Sequence, residues 1–287
     1  MKTTRTAVVT GSTGGIGAEI SKYLAENGWN LVLLNRSAEK AEKQISTLKV
    51  TFAKQMFFSY TADMMDLTSL QVALAKIREE HPKISALYNA AGLLTDKRIE
   101  SNQGIEAHFA VNTLAPYLIT QWLRNPLNAG ASSEYMSLIV YFSSSAINSV
   151  KRFELSTITN PVKIGGLMGA YSQSKLALTM MSEHLKAELL EEGILVYSVD
   201  PGPTKTQMTG SSDGMPWFLR MLRPLVFKSA ESQTNKLVTS LEKCVAEGVS
   251  GAFLSEGKRK ETPSIALNTE LQSSLRIILD THIESFI

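Results

Sequence analysis

The sequence has a single cysteine and no long hydrophobic run, and each shortage excludes a class of protein. Cys244 has no partner for an internal disulfide, which excludes a disulfide-stapled secreted scaffold. No apolar run reaches the roughly 18 residues of a membrane-spanning helix. The first residues, MKTTRTAVVTGS, hold too short an apolar core for a signal peptide. We therefore expect no transmembrane segment and a location in the cytoplasm.

The sequence also lacks an excess of charge of one sign. It has 29 Lys and Arg against 27 Asp and Glu, a formal net charge of +2 at pH 7. Without a basic stripe, nucleic acid is not an expected partner. The four histidines are too far apart in sequence for a local metal cluster, so no metal is predicted. The expected partner is a small molecule.

The sequence does contain a regular alternation of short apolar runs and longer amphipathic stretches. The apolar runs predict seven strands, at 6–10, 30–35, 56–62, 84–90, 137–143, 194–200 and 251–255. Amphipathic segments such as 17–28 and 67–81 separate them, which is typical of βαβ units. The pattern predicts an α/β fold: one Rossmann-type doubly wound parallel sheet of about seven strands, with helices on both faces. We expect one domain over residues 1–287.

Two longer irregular segments, 145–170 and 207–229, interrupt the alternation. Ligands of an open parallel sheet bind beyond the carboxyl ends of its strands, where both segments begin. They are predicted to shape a substrate pocket, although plain surface insertions would look the same. Within the second, the run MPWFLRMLRPLVF (215–227) is apolar enough to lie against a membrane or an oily ligand. Its aromatic residues suit a lid or packing onto their own domain equally well.

A glycine-rich loop, TGSTGGIG at 10–17, joins the first predicted strand to a helix. Residues without a Cβ allow a tight turn and close approach to a pyrophosphate, and the helix N-terminus offers free N–H groups. The loop therefore predicts a dinucleotide site. Its letters fit two spacings, Gly11-x3-Gly15-x-Gly17 and Gly11-x2-Gly14-x2-Gly17, and both stay open. The cofactor-binding residues predicted from it are Gly11, Ser12, Thr13, Gly15, Ile16 and Gly17.

The end of the second predicted strand indicates which dinucleotide is bound. An acidic residue there normally receives the adenosine ribose of NAD, but this chain has Asn35 followed by Arg36. A guanidinium can pair with a ribose 2′-phosphate in a bidentate manner. The sequence therefore predicts NADP(H) as the cofactor; the alternative is a solvated surface arginine.

The stretch GAYSQSKLAL (169–178) places Tyr171 and Lys175 four residues apart, on one face of a predicted helix. A nearby ammonium is expected to lower the pKa of a phenol from about 10. The pair then forms a proton donor and acceptor usable near neutral pH. Alone, the spacing is equally compatible with a solvated helix face.

At this point the sequence closely resembles the short-chain dehydrogenase/reductase family. The resemblance covers about the first 206 residues and follows the family's order of motifs. The motifs are the glycine loop (10–17), AD (62–63), NAAG (89–92), FAVN (109–112), FSSS (142–145), YSQSK (171–175) and DPGPTKT (200–206).

The resemblance implies four catalytic residues. Tyr171 would exchange a proton with the carbonyl or alcohol oxygen, and Lys175 would lower the tyrosine pKa and bind the nicotinamide ribose. Ser144, rather than its neighbours Ser143 and Ser145, would hydrogen-bond the substrate oxygen. Asn112 would support a water-linked proton relay behind the lysine.

The resemblance also implies further cofactor contacts. Asp63 would meet the adenine, and three residues of the NAAG motif would line the cofactor cleft. The segment after the sixth strand would hold the nicotinamide end. The remaining predicted contacts are Asn89, Ala90, Gly92, Pro201, Gly202, Thr204 and Thr206, beside Asn35, Arg36, Tyr171 and Lys175.

The long gap between Ser144 and Tyr171, with the segments 229–241 and 251–270, resembles the retinol-dehydrogenase-like and protochlorophyllide-reductase-like branch. NAAG and the modest C-terminal extension argue against the longer epimerase-like relatives that the second glycine spacing allows. The predicted function is NADP(H)-dependent interconversion of a carbonyl and an alcohol, on a lipophilic small molecule. Reduction of a conjugated C=C bond and a non-catalytic NADPH-binding regulator are the alternatives. By analogy alone, helices around 104–125 and 171–191 suggest a homodimer.

Overall fold

The computed structural model describes residues 5–205 and 227–287. In chain order, the strands are β1 (Thr6–Thr10), β2 (Asn30–Asn35), β3 (Phe57–Thr61), β4 (Ala86–Asn89), β5 (Ser137–Phe142), β6 (Ile194–Asp200), β7 (Thr204–Lys205), β8 (Lys228–Ser229), β9 (Ala252–Ser255) and β10 (Lys258–Lys260). The main sheet has eight strands in the order β3-β2-β1-β4-β5-β6-β9-β10, and β7 pairs with β8 in a separate sheet. All neighbours in the main sheet are parallel except β9 and β10.

The predicted α/β class is confirmed, with one strand more than the seven expected. The extra strand is β10, which turns back antiparallel on β9 at the edge of the sheet. Its turn uses Glu256 (φ 51°) and Gly257 (φ 76°). Because all three residues of β10 are exposed, it has no apolar pattern that the sequence could display.

The central strands are buried on both faces, which explains their continuous apolar runs. Every residue of β2, β4, β5 and β6 is buried. Successive side chains alternate between two hydrophobic clusters, so that Val8 joins one and Ala7 and Val9 join the other. The core therefore lies in two layers, one on each side of the sheet.

Helices cover both layers. They are α1 (Gly15–Glu26), α2 (Ala38–Thr51), α3 (Leu67–Glu80), α4 (Ala107–Phe109), α5 (Ala115–Gly130), α6 (Ala170–Glu191), α7 (Ala230–Ala246) and α8 (Thr269–Ile283). A π-helical turn, Ala110–Leu114, joins α4 to α5. Side chains of α1, α2 and α7 pack on one face of the sheet, and those of α3, α5, α6 and α8 on the other. None of the helices in the described part of the chain has the length and apolar character needed to cross a membrane.

The last helix, α8, closes the second layer. Its residues Leu275, Leu279 and Ile283 are fully buried. The Tyr117 hydroxyl of α5 donates a hydrogen bond to Asp280, near the C-terminal end of α8. This helix was not predicted from the sequence. Thus α8 packs on α5 and α6. These are the two helices for which pairing between subunits was expected by analogy, and the homodimer stays a prediction.

The sheet brings the predicted site residues to one edge. The strand order reverses between β1 and β4, which is where ligands bind in sheets of this topology. The glycine loop follows β1, the NAAG motif includes the end of β4, and the FSSS motif includes the end of β5. The segment 145–170 follows β5 as a series of short 3₁₀ turns. Most of the second predicted insertion, 207–229, lies outside the described residues.

Candidate active site

The glycine loop adopts one of the two spacings that its letters allow. Gly15 has a φ of +53°, in the left-handed region that favours glycine, whereas Gly14 is extended at −167°. A Cβ on Gly17 would lie 2.3 Å from the carbonyl oxygen of Gly11, so α1 packs directly on the loop. The backbone therefore requires glycine at the positions of the spacing Gly11-x3-Gly15-x-Gly17.

The start of α1 is suited to a phosphate. Side chains cap the N-termini of α2, α3, α7 and α8, but the N-cap of α1 is Gly14, which has no side chain to offer. A Cβ on Gly14 would have no atom within 4 Å, so the loop opens outward at this point. Uncapped N–H groups facing open space fit the pyrophosphate of a dinucleotide.

A buried polar network holds the loop to α2. The Gln44 side-chain amide donates to the backbone carbonyl of Ser12 (2.6 Å), and the Ser12 hydroxyl donates to Gln44 Oε1 (2.8 Å). Asn35 Nδ2 in turn donates to the Ser12 hydroxyl (2.8 Å). Ser12 is thus used to position the loop, and Ile16 is buried in the core. Gln44 was not predicted from the sequence, although its position between the buried Ala41 and Leu48 is a signal for it.

Arg36 and Asp63 lie at the ends of neighbouring strands. Arg36 is exposed and makes no ion pair or hydrogen bond within residues 5–205 and 227–287, so its guanidinium is available to a ligand. Asp63 is half-buried, and its Oδ1 accepts a hydrogen bond from the backbone N–H of Met65 (2.9 Å). The position and charge of Arg36 fit an anionic group beside the adenosine end of a dinucleotide.

The end of β4 presents a buried amide with unused hydrogen-bonding capacity. Asn89 is 1% exposed, and neither its side-chain nitrogen nor its oxygen has a partner in the described structure. Ala90 and Gly92, which follow it, are half-buried. Buried polar atoms are normally paired, so an unpaired amide at the topological switch point fits a site that receives a polar group.

Asn112 lies in the π-helical turn and joins three segments. Its Oδ1 accepts from the backbone N–H of Leu93 (2.8 Å), and its Nδ2 donates to the Leu93 carbonyl and to the Ser174 hydroxyl (both 3.0 Å). Single π turns are frequent at functional sites because they redirect a side chain out of helical register. Here the turn ties the loop after β4 to α6.

Of the three serines after β5, Ser144 is the one that interacts with the phenol of Tyr171, whose pKa it lowers. Its hydroxyl also accepts from the Ala146 N–H (3.2 Å). Ser143 points the other way and bonds the Thr179 hydroxyl (2.7 Å), while Ser145 is exposed. The structure thus brings Ser144 to the tyrosine and leaves its two neighbours away from it.

Lys175 lies one turn beyond Tyr171, but its ammonium does not contact the phenol. Its Nζ donates to the backbone carbonyl of Phe142 (2.6 Å) and lies 5.9 Å from the centroid of the Tyr171 ring. Burial lowers the pKa of Lys175 to about 7, and the Asp200 carboxylate opposes this shift. The hydrogen bond to Phe142, the last residue of β5, therefore holds the Lys175 amino group over the ring of Tyr171.

The pKa of Tyr171 differs from the expectation. Burial raises it to about 12; the hydrogen bond with Ser144 lowers it, and the Asp200 carboxylate raises it further. The expected lowering by Lys175 is absent because both side chains are buried and the lysine donates elsewhere. At neutral pH the tyrosine is a protonated phenol.

The segment after β6 is built around Asp200, which the sequence analysis did not select. Its carboxylate is buried and accepts hydrogen bonds from the Gly202 N–H and the Ser255 hydroxyl (both 2.9 Å). The Thr204 hydroxyl donates to the Gly202 carbonyl (2.9 Å), and Pro201 is half-buried. Thr206 lies outside the described residues. A charged residue that ends a fully buried strand is the signal that could have identified Asp200.

A cavity of about 290 Å³ lies between the segment 145–170 and the start of α6. Apolar atoms form most of its wall. Its lining includes Ile158, Pro161, Val162 and Ala170. The insertion thus forms an open pocket within a few residues of Tyr171, and the polar side chains of Glu154, Thr157, Lys163 and Gln173 also line it.

The strand order, the reversal between β1 and β4 and the uncapped helix after a glycine loop define a Rossmann-type dinucleotide-binding protein. Beside this site, a buried tyrosine and lysine lie one helical turn apart. The chain belongs to the short-chain dehydrogenase family, whose model matches residues 5–153 and 159–216.

The curated relatives place the chain in the retinol-dehydrogenase-like branch of this family. Human polyprenol dehydrogenase is 28% identical over 278 residues, which are 94% of this chain and 82% of the relative. Human retinol dehydrogenase 13 is 27% identical over 266 residues, 91% of this chain and 78% of the relative. The predicted family and branch are thus confirmed, and the chain is an oxidoreductase of that family.

Solved structures show the same fold at lower identity. NADPH-bound carbonyl reductase from chicken fatty liver superposes with a TM-score of 0.68 at 22% identity, covering 90% of this chain and 99% of that one. L-sorbose reductase from Gluconobacter frateurii, complexed with NADPH and L-sorbose, has a TM-score of 0.68 at 19% identity, with 90% and 97% covered. These likenesses concern the fold alone.

Proposed function

We propose that the protein is an NADP(H)-dependent enzyme that interconverts a carbonyl and an alcohol, with Tyr171 as its acid and base. The observation that carries this proposal is the buried phenol of Tyr171, bonded to Ser144 and followed one turn later by Lys175. A proton donor and a second hydrogen-bond donor at one point can stabilise the charge that develops on a substrate oxygen.

Each of the four proposed catalytic residues has a distinct task. The Tyr171 hydroxyl donates its proton to the carbonyl oxygen during reduction, and the phenolate takes a proton back during oxidation. The Ser144 hydroxyl holds the same oxygen. Lys175, held by the Phe142 carbonyl, would bind the nicotinamide ribose, and Asn112 fixes the loop after β4 against α6. When bound, NADP(H) supplies or accepts the hydride.

The protonation state of Tyr171 suits the role of acid in carbonyl reduction. With a pKa of about 12, Tyr171 holds its proton at neutral pH and is ready to donate it. Alcohol oxidation needs a phenolate at the start, and the same burial disfavours this form. At pH 7 the tyrosine therefore starts in the protonated form that reduction requires.

Arg36 supports NADP(H) as the preferred cofactor. It follows β2 where an acid would receive the NAD ribose, and it is exposed without a partner in the described structure. Proteins of the same fold, including the chicken carbonyl reductase and the sorbose reductase, carry NADPH in their structures. The residues proposed to hold the dinucleotide are the glycine loop, Asp63, the NAAG motif and the segment after β6.

An apolar substrate is the second part of the proposal. The relatives are named for retinol and polyprenol. The segment 145–170 contributes three buried apolar side chains, Phe153, Ile158 and Ile164, and the Ile164 carbonyl accepts the N–H of Ala170, the residue before the tyrosine. A single NAD(P)-binding domain, a cytoplasmic location and a homodimer stay predictions from the sequence.

The test is NADPH oxidation by the purified protein over a panel of apolar aldehydes, ketones and enones. Tyr171→Phe removes only the acidic hydroxyl, and Tyr135→Phe, in the turn before β5, is the matched control. Turnover that is lost in the first variant and kept in the second supports the proposal. Turnover of enones alone would assign the C=C reductase instead, and tight NADPH binding without any turnover would favour a regulator.

The cofactor assignment has its own test. Arg36→Asp should weaken NADPH binding by at least tenfold and leave NADH binding nearly unchanged, because the lost partner is the 2′-phosphate. Lys43→Asp, an equal charge change on the exposed face of α2, is the control for nonspecific attraction. Equal losses for both dinucleotides in Arg36→Asp would remove the basis for an NADP(H) preference.

A further inference from the structure

A buried acidic residue and a buried histidine lie beside the proposed catalytic tyrosine, and no role above uses them. Glu106 is 2% exposed and His108 is fully buried. Glu106 Oε1 and His108 Nδ1 are 2.6 Å apart, and Glu106 Oε2 accepts the Phe109 N–H (3.1 Å). Burial of a carboxylate is unfavourable unless its oxygens accept hydrogen bonds, and each oxygen of Glu106 has such a partner.

The bonding partners define the tautomer of the histidine. The backbone N–H of Thr95 donates to His108 Nε2 (3.1 Å), and a backbone amide can only donate. Nε2 therefore carries the lone pair, and Nδ1 carries the hydrogen that goes to Glu106. His108 is a neutral imidazole that accepts on one side and donates on the other.

His108 and Asn112 together hold the loop that follows β4. Asn112 bonds both backbone groups of Leu93, and His108 bonds the N–H of Thr95, two residues further on. The two side chains are four residues apart in one helical segment, so they lie on one face. This face fastens residues 93–95 to the helix at three backbone groups.

The imidazole also touches the proposed acid. The rings of His108 and Tyr171 meet edge to face, with centroids 6.1 Å apart and an interplanar angle of 79°. Glu106 also contacts the segment 145–170, because its backbone N–H donates a hydrogen bond to the carbonyl of Thr159 (2.8 Å). One buried pair thus contacts the loop after β4, the insertion after β5 and the tyrosine ring.

We propose that Glu106 and His108 are a positioning pair that fixes the loop after β4 and the ring of Tyr171, and so sets the turnover rate rather than the cofactor affinity. The proposal rests on the role of Tyr171 proposed above. Among the described residues, the hydrogen bonds of the two side chains go to each other, to Thr95 and to Phe109, rather than to the Tyr171 hydroxyl or the glycine loop. Misplacement of a reacting group by about 1 Å lowers a rate by about a hundredfold.

The experiment compares three variants of the full chain. His108→Phe keeps an aromatic ring but leaves Glu106 Oε1 and the Thr95 N–H without their hydrogen-bond partner. His108→Gln restores one acceptor and one donor on a single side chain. His81→Phe is the matched control. His81, at the end of α3, is also buried, and its Nε2 is hydrogen-bonded to the Tyr60 hydroxyl of β3. Each protein is assayed for kcat and KM with NADPH and the best substrate of the panel, for NADPH affinity, and for hydrogen exchange in residues 92–96.

We expect His108→Phe to lower kcat by about ten- to a hundredfold, with the Kd for NADPH changed less than about threefold. Exchange in residues 92–96 should become at least about tenfold faster, because the Thr95 N–H loses its acceptor. His108→Gln should recover most of both losses, and His81→Phe should show neither. If His108 had a merely structural role, His108→Phe would lower kcat and NADPH affinity together, without this split.

Two results would overturn the inference: unchanged exchange in His108→Phe, or a His108→Gln variant as impaired as His108→Phe. Failure of the proposed function is a separate outcome. If the wild-type protein turns over no substrate, the exchange and NADPH-affinity measurements still decide whether the pair holds the loop. Faster exchange at unchanged affinity would then support the positioning role alone.

Discussion

The amino group of Lys175 is buried, and replacing Lys175 with methionine separates its contribution to activity from its contribution to stability. Lys175→Met keeps the length of the side chain and removes its charge and its donor. We expect the variant to lose activity. We also expect it to be at least as stable as the wild-type protein at pH 7 without cofactor, because burying the charge is unfavourable.

The magnitude follows from the pKa of Lys175, which burial lowers from 10.5 to about 7. Between these values the unfolded chain binds a proton that the folded chain lacks, so stability rises with pH across this window. At about 1.4 kcal/mol per pKa unit, the penalty is about 4 kcal/mol at pH 7 and about 2 kcal/mol at pH 9. The variant escapes this penalty but leaves the Phe142 carbonyl unpaired, which costs about 1–3 kcal/mol.

The assay is urea unfolding at pH 7 and pH 9, followed by tryptophan fluorescence, in the absence of cofactor. The wild-type protein should gain about 2 kcal/mol of unfolding free energy relative to Lys175→Met between the two pH values. Lys76→Met, on the exposed face of α3, is the control and should keep the wild-type dependence. Parallel pH dependences for the wild-type protein and Lys175→Met would show that the lysine keeps its proton, and would refute the reasoning.

Three further predictions concern the cofactor loop and the core. Gly17→Ala should weaken NADPH binding at least tenfold and lower the melting temperature, because the new Cβ would lie 2.3 Å from a backbone carbonyl oxygen. Gly14→Ala, where a Cβ meets no atom, should keep the melting temperature. Equal losses of stability in the two variants would contradict this. Gln44→Ala should weaken NADPH binding by about tenfold by freeing the loop, and unchanged affinity in a fluorescence titration would oppose it. Leu279→Ala should lower the free energy of unfolding in urea by about 2–5 kcal/mol, because Leu279 is fully buried. Ile277→Ala, at an exposed position of the same helix, should lower it by less than about 0.5 kcal/mol. Similar losses in the two variants would argue against the packing of α8.

The central strands could be predicted because burial on both faces leaves continuous apolar runs. The predicted strands at 6–10, 30–35 and 194–200 have the bounds of β1, β2 and β6. β10 was missed because an exposed edge strand needs no apolar residue. The π turn was missed because it follows from tertiary contacts of Asn112 rather than from any local propensity.

The site was predictable where one short segment carries its chemistry, as with the glycine loop and the Tyr171–Lys175 spacing. It was not predictable where distant segments meet. The bond between Thr95 and His108 depends on how a loop approaches a helix, and the phenol pKa depends on burial that no local pattern records. The sign of that pKa shift was wrong for this reason.

The packing of α8 also bears on the order in which the molecule can be assembled during synthesis. Tyr117 bonds Asp280, 163 residues away, and the Trp122 indole donates to the Phe286 carbonyl, 164 residues away. Contacts of such long range form late, because the intervening chain has to be ordered first. We therefore expect the helical layer that carries Tyr171 to stay incomplete during synthesis until α8 has been made, with the side of α5 that contacts α8 uncovered in that interval.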